Sequence, residues 1–343
     1  MGRTFLGELR KLAHPVAAVI VIVCFAFILA DARTTYHYSQ LQTPVAVVAS
    51  SHIVDDAAAC RRGDTVSTQC QNDLDTLALN DRFAGNGIEL GRVTNSLSTW
   101  PGMLRFVTHQ LATGLGWVLL AVLLGLHVAG EWSSRTAAPT LIATGSLRRF
   151  WFAKIASIWV AMIGVTLLGT TVLYLARSAY LDEVGIPAPL EQPGDPSTWH
   201  LAALSPDPAW SSWTRSAAVL GKASVIWLLF ILAGAAVAGL IRRTLPTVVL
   251  DVAALSTVLV LSRYTGSTSW SPVGVISRVL NLEKTPFGVR DTRLWSVPGA
   301  PGFIQDNYHT ITVSAGAVIT WTILPIAVAV IAVTANARRR VAA

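Results

Sequence analysis

The side chains able to do proton, ligand or charge chemistry are few in this chain and far apart. His127 and Glu131 stand four positions apart, the spacing at which two side chains meet on one helix face and order its end. Asp251 is a lone carboxylate inside an apolar run, where a charge needs a partner or a function. Pairing with Arg242 or Arg243 is the expectation; facing a polar path is the alternative. His52, Asp55, Asp56 and Cys60 lack the paired spacing that structural zinc requires, so no metal site is expected. No Ser-His-Asp order or carboxylate pair stands out. The nearest approach to a phosphate loop, Leu220-Gly221-Lys222-Ala223-Ser224, has Ser216 for the first glycine and Ala223 for the hydroxyl residue. Lys222 is expected to snorkel toward headgroups instead. A proton relay through His127 would need more ionisable partners than its surroundings supply.

What must position these groups is hydrophobic helix. Apolar residues make up 52% of the 343 and charged residues 13%, about half the charged share of an ordinary soluble domain. The apolar residues gather into six runs: 15–30, 107–129, 152–176, 217–241, 245–261 and 311–334. Such runs match a bilayer core roughly 30 Å thick crossed at 1.5 Å per residue. Period-2 alternation is missing from them, which argues against a membrane barrel. The expected fold is therefore an all-α integral membrane protein with six spans, an N-terminal helix over 1–14 and one membrane domain over 15–343.

The Lys/Arg bias orients it. With the N-terminus in the cytoplasm, segments 1–14, 130–154, 242–244 and 335–343 hold twelve Lys/Arg against Glu8 and Glu131. The outer segments 31–106, 177–216 and 262–310, with Lys222, hold fourteen Lys/Arg against sixteen acids. Both termini are expected inside. The net charge of +7 is thus a topology signal, and nucleic-acid binding is not expected. Cleavage of the first run as a signal peptide at Ala30-Asp31-Ala32 is disfavoured by its length. Cys60 and Cys70 fall in an outer, oxidising segment with nine residues between them, and a disulfide is expected there. Cys24 reads as a small core residue.

Two cytoplasmic stretches carry more information. In residues 1–14, Phe5, Leu6, Leu9, Leu12 and Ala13 share a helical face while Arg3, Glu8, Arg10 and Lys11 mostly face away, and Pro15 favours a break before the first run. Such a helix suits the headgroup plane. Between the second and third runs lies Gly130 to Lys154, with Glu131, Arg135, Thr136, Leu141, Ile142, Arg148, Arg149 and Lys154 in order. The basic residues there are suited to lipid phosphates or to acids on a partner. Together these stretches resemble the elbow helix and coupling loop of the type-2 exporter family of ATP-binding cassette (ABC) permeases. Arg135 departs from the family pattern where Gly is usual, and Thr144-Gly145 where Pro is usual.

The resemblance covers nearly the whole chain and implies a permease subunit with no catalytic residues and no cofactor of its own. ATP and Mg would bind ABC ATPase subunits on separate chains, which the eight loop residues named above would contact. It further implies a second permease copy or paralogue, membrane lipids around both, a bacterial plasma membrane, and export of an amphipathic drug, lipid or peptide. The alternative class is a non-transporting membrane sensor or assembly protein that binds an extracellular partner through its outer loops.

Overall fold

The computed structural model describes residues 2–12, 15–33, 95–137, 142, 146–177, 206–253, 275–276, 279–280 and 315–341. Among these residues every regular element is helical. In chain order they are α1 (Gly2–Leu12), α2 (Pro15–Arg33), α3 (Trp100–Ala112), α4 (Gly114–Leu124), α5 (Leu147–Leu175), α6 (Trp213–Ile241), α7 (Thr244–Ala253) and α8 (Ala315–Val341). A π-helical turn, Gly125–Ala129, and a last α turn, Gly130–Ser133, continue α4. The Cys60–Cys70 pairing, Leu141 and the end of the fifth run lie outside the described residues.

Four stretches are long and apolar enough to cross a membrane: Pro15–Arg33, Leu115–Ser133, Arg149–Leu175 and Trp213–Ile241. The chain is thus described by apolar helices of membrane-spanning length. Two of the six apolar runs give shorter apolar helices, Thr244–Ala253 and Gly316–Ile331. The latter lies within α8, which carries Pro325 in its interior.

Contacts at both ends fix the directions of the long helices. At one end Trp100 Nε1 of α3 donates to Thr171 Oγ1 late in α5, and Ser216 Oγ early in α6 donates to Pro101 O. Gln110 Nε2 donates to Asp31 Oδ2 at the end of α2. At the other end Lys154, early in α5, meets Glu131, and Ser133 meets Thr244. So α2 and α5 run one way, and the α3–α4 stretch and α6 the other. Gly169 allows a close approach between α2 and α5: a Cβ there would collide with the Phe25 ring.

The second span is the centre of the bundle, with 72% of its most apolar stretch buried against 22–33% for the other three. It also differs from the sequence reading. The residues just before 107, assigned to an outer segment, are helical from Trp100, capped by Thr99 Oγ1 on Gly102 N at 3.2 Å. The helix then breaks at Thr113 (φ −110°, ψ −138°) before restarting as α4. A break buried among helices must satisfy its own carbonyls. Trp227 Nε1 donates to Leu111 O at 3.1 Å, Trp117 Nε1 to Ala112 O at 3.0 Å, and Thr113 Oγ1 to His109 O at 2.9 Å. Gly116 is required here, because a Cβ would overlap Leu111 O. Cys24 is buried in the core with Ile28, Phe106 and Trp117, as its apolar surroundings in the sequence imply.

Candidate functional site

α1 forms because an apolar stripe recurs at helical spacing, and it packs on α5 through that stripe. The stripe carries a charge. Phe5, Glu8 and Leu12 follow one another at steps of three and four positions, and Glu8 is 3% exposed while Leu6 is left 60% exposed. The expectation that the charges of 1–14 mostly face away therefore fails at Glu8. Its burial is explained by what waits beneath it.

That partner set is an ionic network at the end of the bundle where the 130–154 loop begins and ends. Lys154, the last residue of that stretch and about two turns into α5, is fully buried. Its Nζ donates to Glu8 Oε2 at 3.0 Å and to His127 O at 2.9 Å, and lies 3.0 Å from Glu131 Oε2 in an ion pair. Two hydrogen bonds and one ion pair therefore hold the ammonium, and Glu131 Oε2 itself is buried without a hydrogen bond. Lys11 Nζ bridges the same two acids from the other side, 2.8 Å from Glu8 Oε1 and 2.6 Å from Glu131 Oε1. Two carboxylates and two ammonium groups thus balance. His127 Nε2 lies 3.1 Å from Glu8 Oε2 and 3.1 Å from Ser157 Oγ, whose hydroxyl donates to Lys154 O.

Burial by itself would raise the Glu8 carboxyl, but hydrogen bonds from His127 and Lys11 and the Lys154 charge hold it well below the usual carboxylate range. Burial would likewise lower Lys11, yet its bonds to Glu131 and Glu8 raise it above the ordinary lysine value. The network is a clamp for charged forms on both sides.

Several sequence expectations change here. His127 contacts Glu8 and Ser157 rather than Glu131, because the π turn Gly125–Ala129 removes the simple i,i+4 register between them. Glu131 and Lys154, read as loop residues available to a partner, are buried and bonded to each other and to α1. Asp251 pairs with neither Arg242 nor Arg243. Arg242 is the left-handed C-cap of α6 (φ 57°), and its guanidinium lies 4.8 Å from the Trp132 ring centroid. The Asp251 Oδ2 atom is buried without a hydrogen bond. Glu8, Lys11 and Ser157 are members of the site that sequence reasoning missed. The signal for Glu8 was its place on the apolar stripe of 5, 9 and 12.

Four other members of the loop set are exposed. Arg135, Thr136, Ile142 and Arg149 face outward, Ile142 at 82% exposure. Arg149 N is capped by Ser146 Oγ at 3.2 Å, which starts α5, and the backbone of Arg148 follows in the same first turn. Arg135 adopts φ 59°, the left-handed conformation that glycine takes most readily. This is the position where the resembling family usually has Gly. No family model, curated protein or solved structure matches the chain.

Proposed function

We propose that this chain is the membrane-spanning permease subunit of an ATP-driven ABC exporter of the type-2 kind. In this reading it crosses a bacterial plasma membrane six times with both termini inside, α1 lying along the membrane as the elbow. A separate ATPase subunit binds ATP and Mg, and a second permease copy or paralogue completes the transporter. The cargo class is an amphipathic drug, lipid or peptide.

The observation that supports the reading is Lys154 seated between Glu8 and Glu131. A loop transmits a push only if its two ends move together. Glu131 at its start and Lys154 at its end are joined directly, and Glu8 and Lys11 add α1 to the same body. A force on the exposed Arg135, Ile142 or Arg149 is then passed to α4, α5 and α1 at once, without being spent on deforming the loop base. An exposed aliphatic side chain and two exposed cations in one loop suit a partner surface with an apolar notch and acids.

The test is co-purification of an ATPase with variants normalised to membrane expression. Leu141→Asp and Ile142→Asp are expected to abolish capture and export while the permease stays inserted. Arg148→Glu is expected to weaken capture in a salt-dependent way. Full capture and normal export by both apolar-to-Asp variants would sink the coupling reading and favour a sensor.

A further inference from the structure

At the opposite end of the bundle the balance of charge is different. Arg105 lies on α3, about 35–40 Å of helical rise from Glu131, and is 5% exposed. It makes no ion pair among the described residues. Its Nη1 donates to Ala209 O at 2.7 Å, and its guanidinium carbon lies 4.4 Å from the centroid of the Trp210 ring. Its Nε is buried without a hydrogen-bond partner, so that edge of the guanidinium fork is idle. One turn deeper on the same helix face, the fully buried Thr108 Oγ1 also lacks a partner. Folded proteins leave few buried polar atoms unmet, and two on successive turns of one face call for a cause.

The neighbouring charges do not supply it. Asp207 and Arg215 act on Arg105 from a distance. Asp207 Oδ1 already accepts Trp210 N at 2.9 Å, closing a local turn. Trp100, five positions before Arg105 on α3, and Trp213, three positions after Trp210, stack with centroids 4.9 Å apart and an interplanar angle of 17°. Trp213 is 63% exposed and offers a broad apolar face at this end of the bundle.

We infer that Arg105 and Thr108 form a binding site for a phosphate group. A guanidinium edge is matched to the paired oxygens of a phosphate or a carboxylate. A carboxylate spends both oxygens on the fork, whereas a phosphate keeps another for the Thr108 hydroxyl. The bound group supplies the counter-charge that no described residue provides, and the Trp100–Trp213 pair offers a surface for any apolar remainder of the ligand. The inference stands apart from the coupling reading, since it uses no residue of the ionic network or the loop.

The experiment uses the full chain purified in an uncharged detergent and follows tryptophan fluorescence. Three probes are titrated: dihexanoyl phosphatidylglycerol, inorganic phosphate, and dihexanoylglycerol, which has no phosphate. Saturable binding of at least one phosphate probe is expected, with none of dihexanoylglycerol. Arg105→Gln should weaken it by about tenfold or more, as expected for a charge-assisted bond. Arg105→Lys and Thr108→Val should weaken it less, and Asp207→Asn should tighten it by removing a competing negative charge. Inorganic phosphate binding with the same Arg105 dependence identifies a free anion as the ligand; response to the lipid alone identifies a headgroup. The inference is overturned if neither phosphate probe binds the wild-type chain, or if Arg105→Gln binds as well as wild type. It is also overturned if Asp207→Asn weakens binding as much as Arg105→Gln, which would make Asp207 the partner. Should Arg105→Gln fail to insert, Arg105→Lys and Thr108→Val decide, and unchanged binding in both overturns the site.

Discussion

The two ends of the helix bundle handle buried charge in opposite ways. Where α1 meets α4 and α5, two ammonium groups and two carboxylates balance one another, and the fully buried Lys154 is paired with both acids. Where α3 meets the start of α6, Arg105 is nearly as deeply buried, yet it is held by one carbonyl and one indole face. A charge-balanced cluster resists change, because any movement strands a charge. A cation without a counter-charge has bonding capacity to spare. The contrast separates a place built to hold parts of the chain together from a place able to receive something else.

Removing one cation at each end breaks the comparison most directly. Lys154→Met strands Glu8 and Glu131 facing each other with Lys11 alone between them, and should cost about 3–5 kcal/mol of stability. Arg105→Met, measured by the same denaturant titration in detergent, should cost no more than about 1 kcal/mol and can stabilise, because it removes a buried charge that has no ionic partner. Equal losses at the two positions would erase the distinction.

Acid sharpens it at the network end. Glu8 has a depressed carboxyl, so its contribution is full above its ordinary value of 4.5 and is lost as pH falls from there toward the folded value. Lys11 is raised, so its contribution is full below 10.5 and is lost only above that. A spin label at the exposed Leu6 position should therefore stay immobile between pH 5 and pH 10, windows set by those two values. It should loosen on acidification below 4.5. In Glu8→Gln that acid step should vanish; its persistence would assign the step to another group.

The smallest effect is local. Arg135 holds a left-handed backbone that costs a non-glycine residue roughly 1–2 kcal/mol, partly offset because glycine is freer when unfolded. Arg135→Gly should stabilise the chain by up to about 1 kcal/mol. A loss in the same titration would mean that the Arg135 side chain contributes more than its backbone costs.

Sequence reasoning reached what depends on local composition. Apolar runs located the long helices because a bilayer-length hydrophobic stretch has few other solutions. The same rule missed Trp100 to Phe106, where Arg105 and the polar residues that follow it dilute the hydropathy of a helix that is buried on almost every side. Polar residues there find partners on α2 and on the segment before α6, and such partners are invisible to a window moving along one chain. Glu8 and Lys154 are separated by 146 positions, so their bond could not be read from spacing. Which members of the 130–154 loop face inward could not be read from their order in the sequence. That depends on the clamp beneath it.

The π turn at Gly125–Ala129 gives the network one more property. It accommodates an extra residue within an otherwise regular helix, so a one-residue deletion inside it is absorbed by a return to ordinary winding and leaves Glu131 aimed at Lys154. A one-residue deletion in the regular turns of α4 has no such slack and would swing everything beyond by about 100°. The carboxylate would then leave Lys154 with its own identity unchanged. In a related chain, then, a deletion within this short stretch would disturb the clamp less than the same deletion one turn away, and an alignment that misplaced the gap would hide the difference.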